Sequence, residues 1–296
     1  DQCGSRGLGD VYKRQLKYNR VVATHLGGPN PLWKYQTNGK ISSLVYYWLE
    51  KKILLKNYNH FIAICKPEVE YFRDLGKPVS HMPLFGLSNE HLYSIKNRNE
   101  CRRNLDLPLD KKIILQVGRA TKNRGFDWII SFLDENELPS DAHLKFVGVN
   151  KQDEYYSALV KRGFDVEGYS HQDILTEYYN AADVLIYLPH ESSDLDFAGT
   201  SYVPLEALVC GTPVVATTLH HFPGDEITSV AGIPRRKQEV MPLIKDVLNR
   251  RIERKKCRDV AMRHFSWDAS IKKHLQIYQN KFCLLYTSDA ADESVG

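Results

Sequence analysis

The chain has 296 residues, 43% hydrophobic and 26% charged, with a formal net charge of +4. That is the balance of a globular protein with room for two modest domains, and no run approaches the ~18 apolar residues of a membrane-spanning helix. Its six cysteines form no CxxC pair and have no histidines at metal spacing, which argues against a disulfide framework or a zinc site.

No secretory signal is read at the start, and both ends look foreign. "DVYKRQ" (10–15) and "CLLYTS" (283–288) can be written as DNA strings that are reverse complements apart from one terminal base at each end. They resemble the common end of a transposase-based sequencing-library adaptor. Residues 1–15 and 283–296 are therefore expected to be adaptor-derived, and 16–282 native, with both natural termini outside it. That part holds 37 basic and 31 acidic residues, spread along the chain. Such an excess suits anionic ligands or a membrane surface and is too diffuse for nucleic acid.

In chain order, "RVVATHL" (20–26) predicts a strand and 40–58 a long apolar-rich helix. A strand (60–65), a short helix ending at Gly76 (66–76) and a strand (78–84) follow. Residues 86–110 are polar and read as an interdomain linker. The second half alternates regularly. Strands are predicted at 112–118, 143–149, 165–169, 183–189 and 213–219, and helices at 126–136, 152–163, 173–182 and 201–211. That alternation predicts a parallel sheet covered by helices on both faces. Ligands bind such sheets outside the carboxyl ends of the strands.

Two stretches could carry chemistry. In "PLEALVCGTPVVATTL" (204–219), Gly211 and Pro213 end a helix. Ser201 as N-cap places Pro204 in the first turn, where proline is tolerated. Gly199, Thr200, Ser201 and Tyr202 then lead into a helix N-terminus suited to phosphate. Glu206 is either an exposed helix carboxylate or an acceptor for a vicinal diol such as ribose. In "VGRATKNRGFD" (117–127), Gly118 and Gly125 bracket Arg119, Lys122 and Arg124 on a strand-to-helix loop. The loop is either a solvated basic turn or a diphosphate site, and it lacks the P-loop order.

"VGR…RGFD", "VEGY", "ADVLIYLP", "PLEALVCGTPVVAT" and "FSW" occur in that order. Together they resemble the retaining GT-B glycosyltransferases of the family-4 type, glycosyl transferases group 1. "ATHLGG" and "YNHFIAICKP" resemble the later part of that family's acceptor domain. The resemblance implies an α/β fold of two Rossmann-like domains, the N-terminal one truncated. It divides the chain into an acceptor-domain remnant with linker (16–107), a nucleotide-sugar donor domain (108–266) and a helix packing back toward the N-terminal domain (267–282).

By resemblance, Arg119 contacts the donor diphosphate and Arg124 takes a position usually held by Lys. Glu206 is the second acid of a Glu-seven-residues-Glu motif and binds ribose. Gly118 belongs to the donor loop, and Gly199 through Tyr202 face the diphosphate and sugar. Tyr169 lies near the base pocket, where it stacks on the base or packs in the core. His25 matches a cleft histidine on the acceptor side and is the one residue given a catalytic role; the plainer reading is a structural histidine. The first acid of the motif is replaced by Ala198, so the usual contact to the donor hexose is missing. Asp194 and Asp196 resemble a metal-binding pair, but no metal site is assigned. His220 and His221 are given no role.

The implied activity is transfer of a hexose from a nucleotide-diphosphate sugar, with retention and without a metal or other cofactor. The alternatives are a non-transferring GT-B enzyme of epimerase or phosphorylase type, or a non-catalytic nucleotide-sugar-binding protein. The expected partners are the donor and a glycan or lipid-linked acceptor, with no nucleic acid. The basic run 249–258 reads as a solvated helix face, or as peripheral contact with anionic lipid. The expected location is cytoplasmic, with the inner membrane face as the variant of that reading.

Overall fold

The computed structural model describes residues 22–25, 48, 60–63, 66–82, 87, 93–189, 201–221 and 225–282. They fall into two compact units. The smaller carries β1 (Val22–His25), β2 (His60–Ala63) and β3 (Val79–His81), parallel and in that order across the sheet. Helix α1 (Lys66–Asp74) connects β2 to β3. It lays Phe72 on Phe61 with ring centroids 4.1 Å apart, a stacked pair in a small apolar cluster with Ala63 and Val69. The helix predicted over 40–58 lies outside the described residues apart from Trp48.

The larger unit spans Leu84–Ala269. It opens with α2 (Arg98–Asn104), followed by β4 (Lys112–Val117), α3 (Phe126–Glu135), β5 (Ala142–Val147) and α4 (Tyr156–Lys161). Then come β6 (Asp165–Glu167), α5 (Gln172–Ala181), β7 (Val184–Tyr187), α6 (Tyr202–Val209) and β8 (Val214–Ala216). It continues with α7 (Asp225–Thr228), β9 (Ala231–Gly232), α8 (Val240–Asn249) and α9 (Arg254–Phe265). A last helix, α10 (Trp267–Phe282), runs across the division, since residues from Ser270 group with the smaller unit.

Among the described residues the larger unit has six strands, all parallel, in the order β6-β5-β4-β7-β8-β9. Counted from β4, that is the 3-2-1-4-5-6 order of a dinucleotide-type fold. Its central strands are buried on both faces, which is why "KIILQV" and "VLIY" are nearly continuous apolar runs rather than alternating ones. Ile113, Leu115 and Val117 face one core with α5, α6 and α9. Ile114 faces the other, with α3, α4 and α8.

Three elements differ from the sequence expectation. The polar segment 86–110 is not simply a linker. Asn97 caps α2 by accepting the Glu100 N–H at 3.1 Å. The α2 residue Arg102 is 4% exposed and donates to Asp183 at 2.6 Å and to the Ala181 carbonyl at 2.9 Å. Asp183 also accepts from Arg98 and from the Ile113 N–H. A charged helix is thus fastened to the sheet by a shared carboxylate, a contact that composition does not reveal. Helix α4 begins later than predicted because the Asp153 carboxylate accepts from the Ala120 and Asn150 N–H groups and holds a turn there. The strand predicted to Leu219 ends at Ala216, and a 3-10 turn covers Thr217–His221. The Thr217 hydroxyl bonds the Pro189 carbonyl there.

Gly125 fixes the path of the loop after β4. Its φ is 78°, and a Cβ there would lie 1.9 Å from the Leu188 carbonyl oxygen. Both the left-handed backbone and the close approach exclude a side chain. Gly125→Ala is expected to lower unfolding stability by at least ~2 kcal/mol in urea denaturation. A change within ~0.5 kcal/mol, the range of an ordinary surface substitution, would contradict this packing.

Candidate functional site

The strand order reverses between β4 and β7, and the helices that follow them, α3 and α6, pack on opposite faces of the sheet, the arrangement that opens a crevice at the carboxyl edge. After β4, Gly118 has φ 125° and donates its N–H to the Val147 carbonyl at 2.8 Å. Gly148 lies against it, so close that a Cβ on Gly148 would be 3.3 Å from the Gly118 nitrogen. The backbone therefore stays low at this edge and leaves space above it. Arg119 is exposed and has no ion partner among the described residues. Lys122–Arg124 make one 3-10 turn. The half-buried Arg124 donates to the Tyr187 hydroxyl at the end of β7, tying the two sides of the crevice together.

On the β7 side stands α6. The Ser201 hydroxyl accepts the Val203 N–H at 3.4 Å, as an N-cap does. Pro204 has no N–H, so the first turn offers the Tyr202 N–H, which has no partner among the described residues. The C-terminal end is stopped by Gly211, at φ 81°. Its carbonyls are met by α9: Arg258 donates to Val209 O at 2.8 Å and Arg254 to Cys210 O at 2.8 Å. Cations at that end also suit the helix dipole.

Glu206 is not the exposed helix carboxylate that its surroundings in sequence allow. It is half-buried, and its Oε2 accepts from the Tyr179 hydroxyl of α5 at 2.6 Å. The Tyr93 hydroxyl, which accepts from Gln172 Nε2 at 2.7 Å, lies beside the same carboxyl group. Burial raises the Glu206 pKa, while the Tyr179 hydrogen bond and the neighbouring Tyr93 hydroxyl pull it back down. Burial and the nearby Glu206 charge push both phenols upward, so they remain protonated donors. The same two causes push the buried Cys210 thiol up to about 12.

The crevice edge thus collects Gly118, Arg119, Arg124, Ser201 and Tyr202, with Glu206 on the second turn of α6. Tyr169 follows β6 on the same edge, 83% exposed, and is not a core residue. His25 ends β1 in the smaller unit. Gly199, Thr200, Ala198, Asp194 and Asp196 lie outside the described residues. The basic run 249–258 is not uniformly solvated. Arg251, Lys255 and Lys256 are exposed, whereas Arg254 and Arg258 turn inward to backbone carbonyls. Among the described residues no helix is long and apolar enough to cross a membrane. The sequence reading missed Tyr93, Tyr179, Arg254 and Arg258. Only the four-residue spacing that puts Arg254 and Arg258 on one helix face could have hinted at a shared partner.

The raised Glu206 value has a stability consequence. As pH rises, the unfolded chain releases this proton first, so the folded state loses stability from the ordinary glutamate range up through the raised value. Glu206→Gln should remove that contribution. Thermal midpoints of the two proteins between pH 4 and 8 should diverge in favour of the Gln variant as pH rises; parallel curves would contradict the buried-acid geometry.

Residues 97–263 match the family model described as glycosyl transferases group 1. An uncharacterised glycosyltransferase of Methanocaldococcus jannaschii is 24% identical over 190 residues, 60% of this chain and 47% of its own. The D-inositol 3-phosphate glycosyltransferase of Xylanimonas cellulosilytica is 26% identical over 202 residues, 61% of this chain and 45% of its own. The chain thus spans about half the length of the curated relatives it matches. Among solved structures, sucrose-phosphate synthase from Thermosynechococcus elongatus superposes with TM-score 0.65 and 22% identity, covering 88% of this chain and 68% of that one. Anabaena HepE in complex with UDP-glucose superposes with TM-score 0.62 and 15% identity, covering 92% and 82%. These likenesses are of fold, and the fold is GT-B. The family match covers more than half of the sequence and includes both walls of the crevice, and on that ground the chain belongs to the glycosyl transferases group 1 family.

Proposed function

We propose that this chain transfers a hexose from a nucleotide-diphosphate sugar to an acceptor, with retention and without a metal ion. One observation carries the reading. At the switch point of the sheet, an arginine-bearing loop follows β4, and α6 with its acid, Glu206, follows β7. HepE, which superposes on this chain, is described in complex with UDP-glucose, and the relatives named above are glycosyltransferases.

Each part has a task in that reaction. Negative charge grows on the diphosphate as the bond to the hexose breaks. Arg119 is free to meet it, and Arg124 is already fixed by Tyr187, so little reorganisation is needed in the transition state. The Tyr202 N–H and the positive end of α6 add to the same potential. Glu206 accepts from the ribose diol and fixes the nucleoside. The acceptor, a glycan or a lipid-linked sugar, approaches on the face from which the diphosphate leaves. His25 is assigned to that acceptor side.

A second reading is favoured by Ala198, which cannot make the acid contact to the hexose. It is a protein that binds the nucleotide sugar without transferring it. Hexose-labelled UDP-, GDP- and ADP-sugars, offered with glycan and lipid-linked acceptors, separate the two. Transfer should yield product with the donor's anomeric configuration at a rate unchanged by EDTA. Inverted product, or a rate abolished by EDTA, would contradict retention or metal independence. Bound donor without product on any acceptor would support the second reading.

Arg119→Ala should weaken nucleoside diphosphate affinity about tenfold, or ~1.4 kcal/mol, in calorimetric titration. Unchanged affinity would remove Arg119 from the site.

A further inference from the structure

Glu206 sits in a polar socket that reaches beyond the family core. Tyr93 lies before the matched residues 97–263, on a strap over 93–96. The strap is fastened along its length. Arg258 donates to the Tyr93 carbonyl at 2.7 Å, and Asn180 to the Ser94 carbonyl at 2.9 Å. The Lys96 N–H donates to Asn180 Oδ1 at 2.7 Å, and Arg254 to the Lys96 carbonyl at 2.6 Å. These bonds hold the Tyr93 ring 6.3 Å from that of Tyr179, with both rings fully buried.

The hydrogen bonds have a direction. Gln172 Nε2 donates to the Tyr93 oxygen at 2.7 Å, occupying a lone pair and leaving the phenol proton for Glu206. Tyr179 donates to Oε2. An ionised carboxylate has about four acceptor positions. Tyr179 uses one of them and the Tyr93 proton is available to a second, and a vicinal diol needs two. Cys210 and Tyr202 are the other titratable neighbours raised by the charge of this acid.

We propose that Tyr93 and Tyr179 are positioning residues: they turn Glu206 so that its free lone pairs read both ribose hydroxyls, making the site selective for ribonucleotides over 2′-deoxyribonucleotides. The inference rests on the reading that Glu206 meets ribose. The strap thereby couples the segment before the family core to nucleotide choice.

The test measures affinities of UDP, GDP and ADP and their 2′-deoxy counterparts for the full chain. The proteins are wild type, Tyr93→Phe, Tyr179→Phe, Glu206→Gln and the Tyr93→Phe/Glu206→Gln double variant. Phe keeps the ring and removes the donor, and thermal melting checks that each variant is folded. Wild type should prefer the ribonucleotide at least tenfold, and each Phe variant should lower that preference severalfold. Tyr93→Phe should have no further effect once Glu206 is Gln. Carbon-13 NMR of the Glu206 carboxyl group needs no ligand, and its titration should move to higher pH in both Phe variants.

If wild type discriminates but the Phe variants leave both the preference and the titration unchanged, the positioning role is overturned and the ribose reading stands. Equal losses from Tyr93→Phe with Glu and with Gln at position 206 would also overturn it. If wild type does not discriminate between the sugars, the ribose reading fails and the selectivity with it.

Discussion

A carboxylate drawn out of water must be met by donors, and Glu206 is met by the Tyr179 hydroxyl at 2.6 Å, with the Tyr93 phenol beside it from a distant part of the chain. Tyr179 comes from α5, inside the sheet-and-helix alternation. Tyr93 comes from the strap that precedes α2. Both hydroxyls have to arrive in the same small volume beside α6, so the packing of α5, the strap and α6 is set by one acid.

The same segments are tied a second time at their backbones. Arg254 and Arg258 of α9 reach the terminal carbonyls of α6 and the carbonyls of the strap, and Asn180 joins α5 to the strap. Guanidinium groups suit this work because each carries several donors in a rigid fork on a stem that can be buried. Helix α6 is thereby held from behind, with its N-terminus facing the crevice. On the opposite wall, Gly125 lets the β4 loop press on Leu188, and Arg124 bonds Tyr187.

Much of this was legible in the sequence wherever the information was local. The βα alternation, the Ser201 cap, the Gly211 stop and the glycine-bracketed arginine loop are features of a few adjacent residues, and each appears close to its predicted place. The parts that were not legible depend on distant pairs. Residues 86–110 read as a polar linker because their charges are satisfied by Asp183, roughly 80 positions away in sequence. The run 249–258 read as a solvated or lipid-facing surface because composition cannot distinguish an arginine in water from one capping a helix. The Tyr179–Glu206 bond needs the register of α5 against α6, which no single-helix period contains. Chemically, the candidate site was half visible: its cations and acid could be named, but not the groups that orient the acid.

We propose that the crevice between β4 and β7 receives a nucleoside diphosphate with its ribose on Glu206. A crystal structure of this chain with UDP should show both ribose hydroxyls within hydrogen-bond distance of the Glu206 carboxylate, Tyr179 still bonded to it, and the diphosphate against Arg119 and the start of α6. A nucleotide bound elsewhere, or bound in the crevice with its ribose turned away from Glu206, would contradict it.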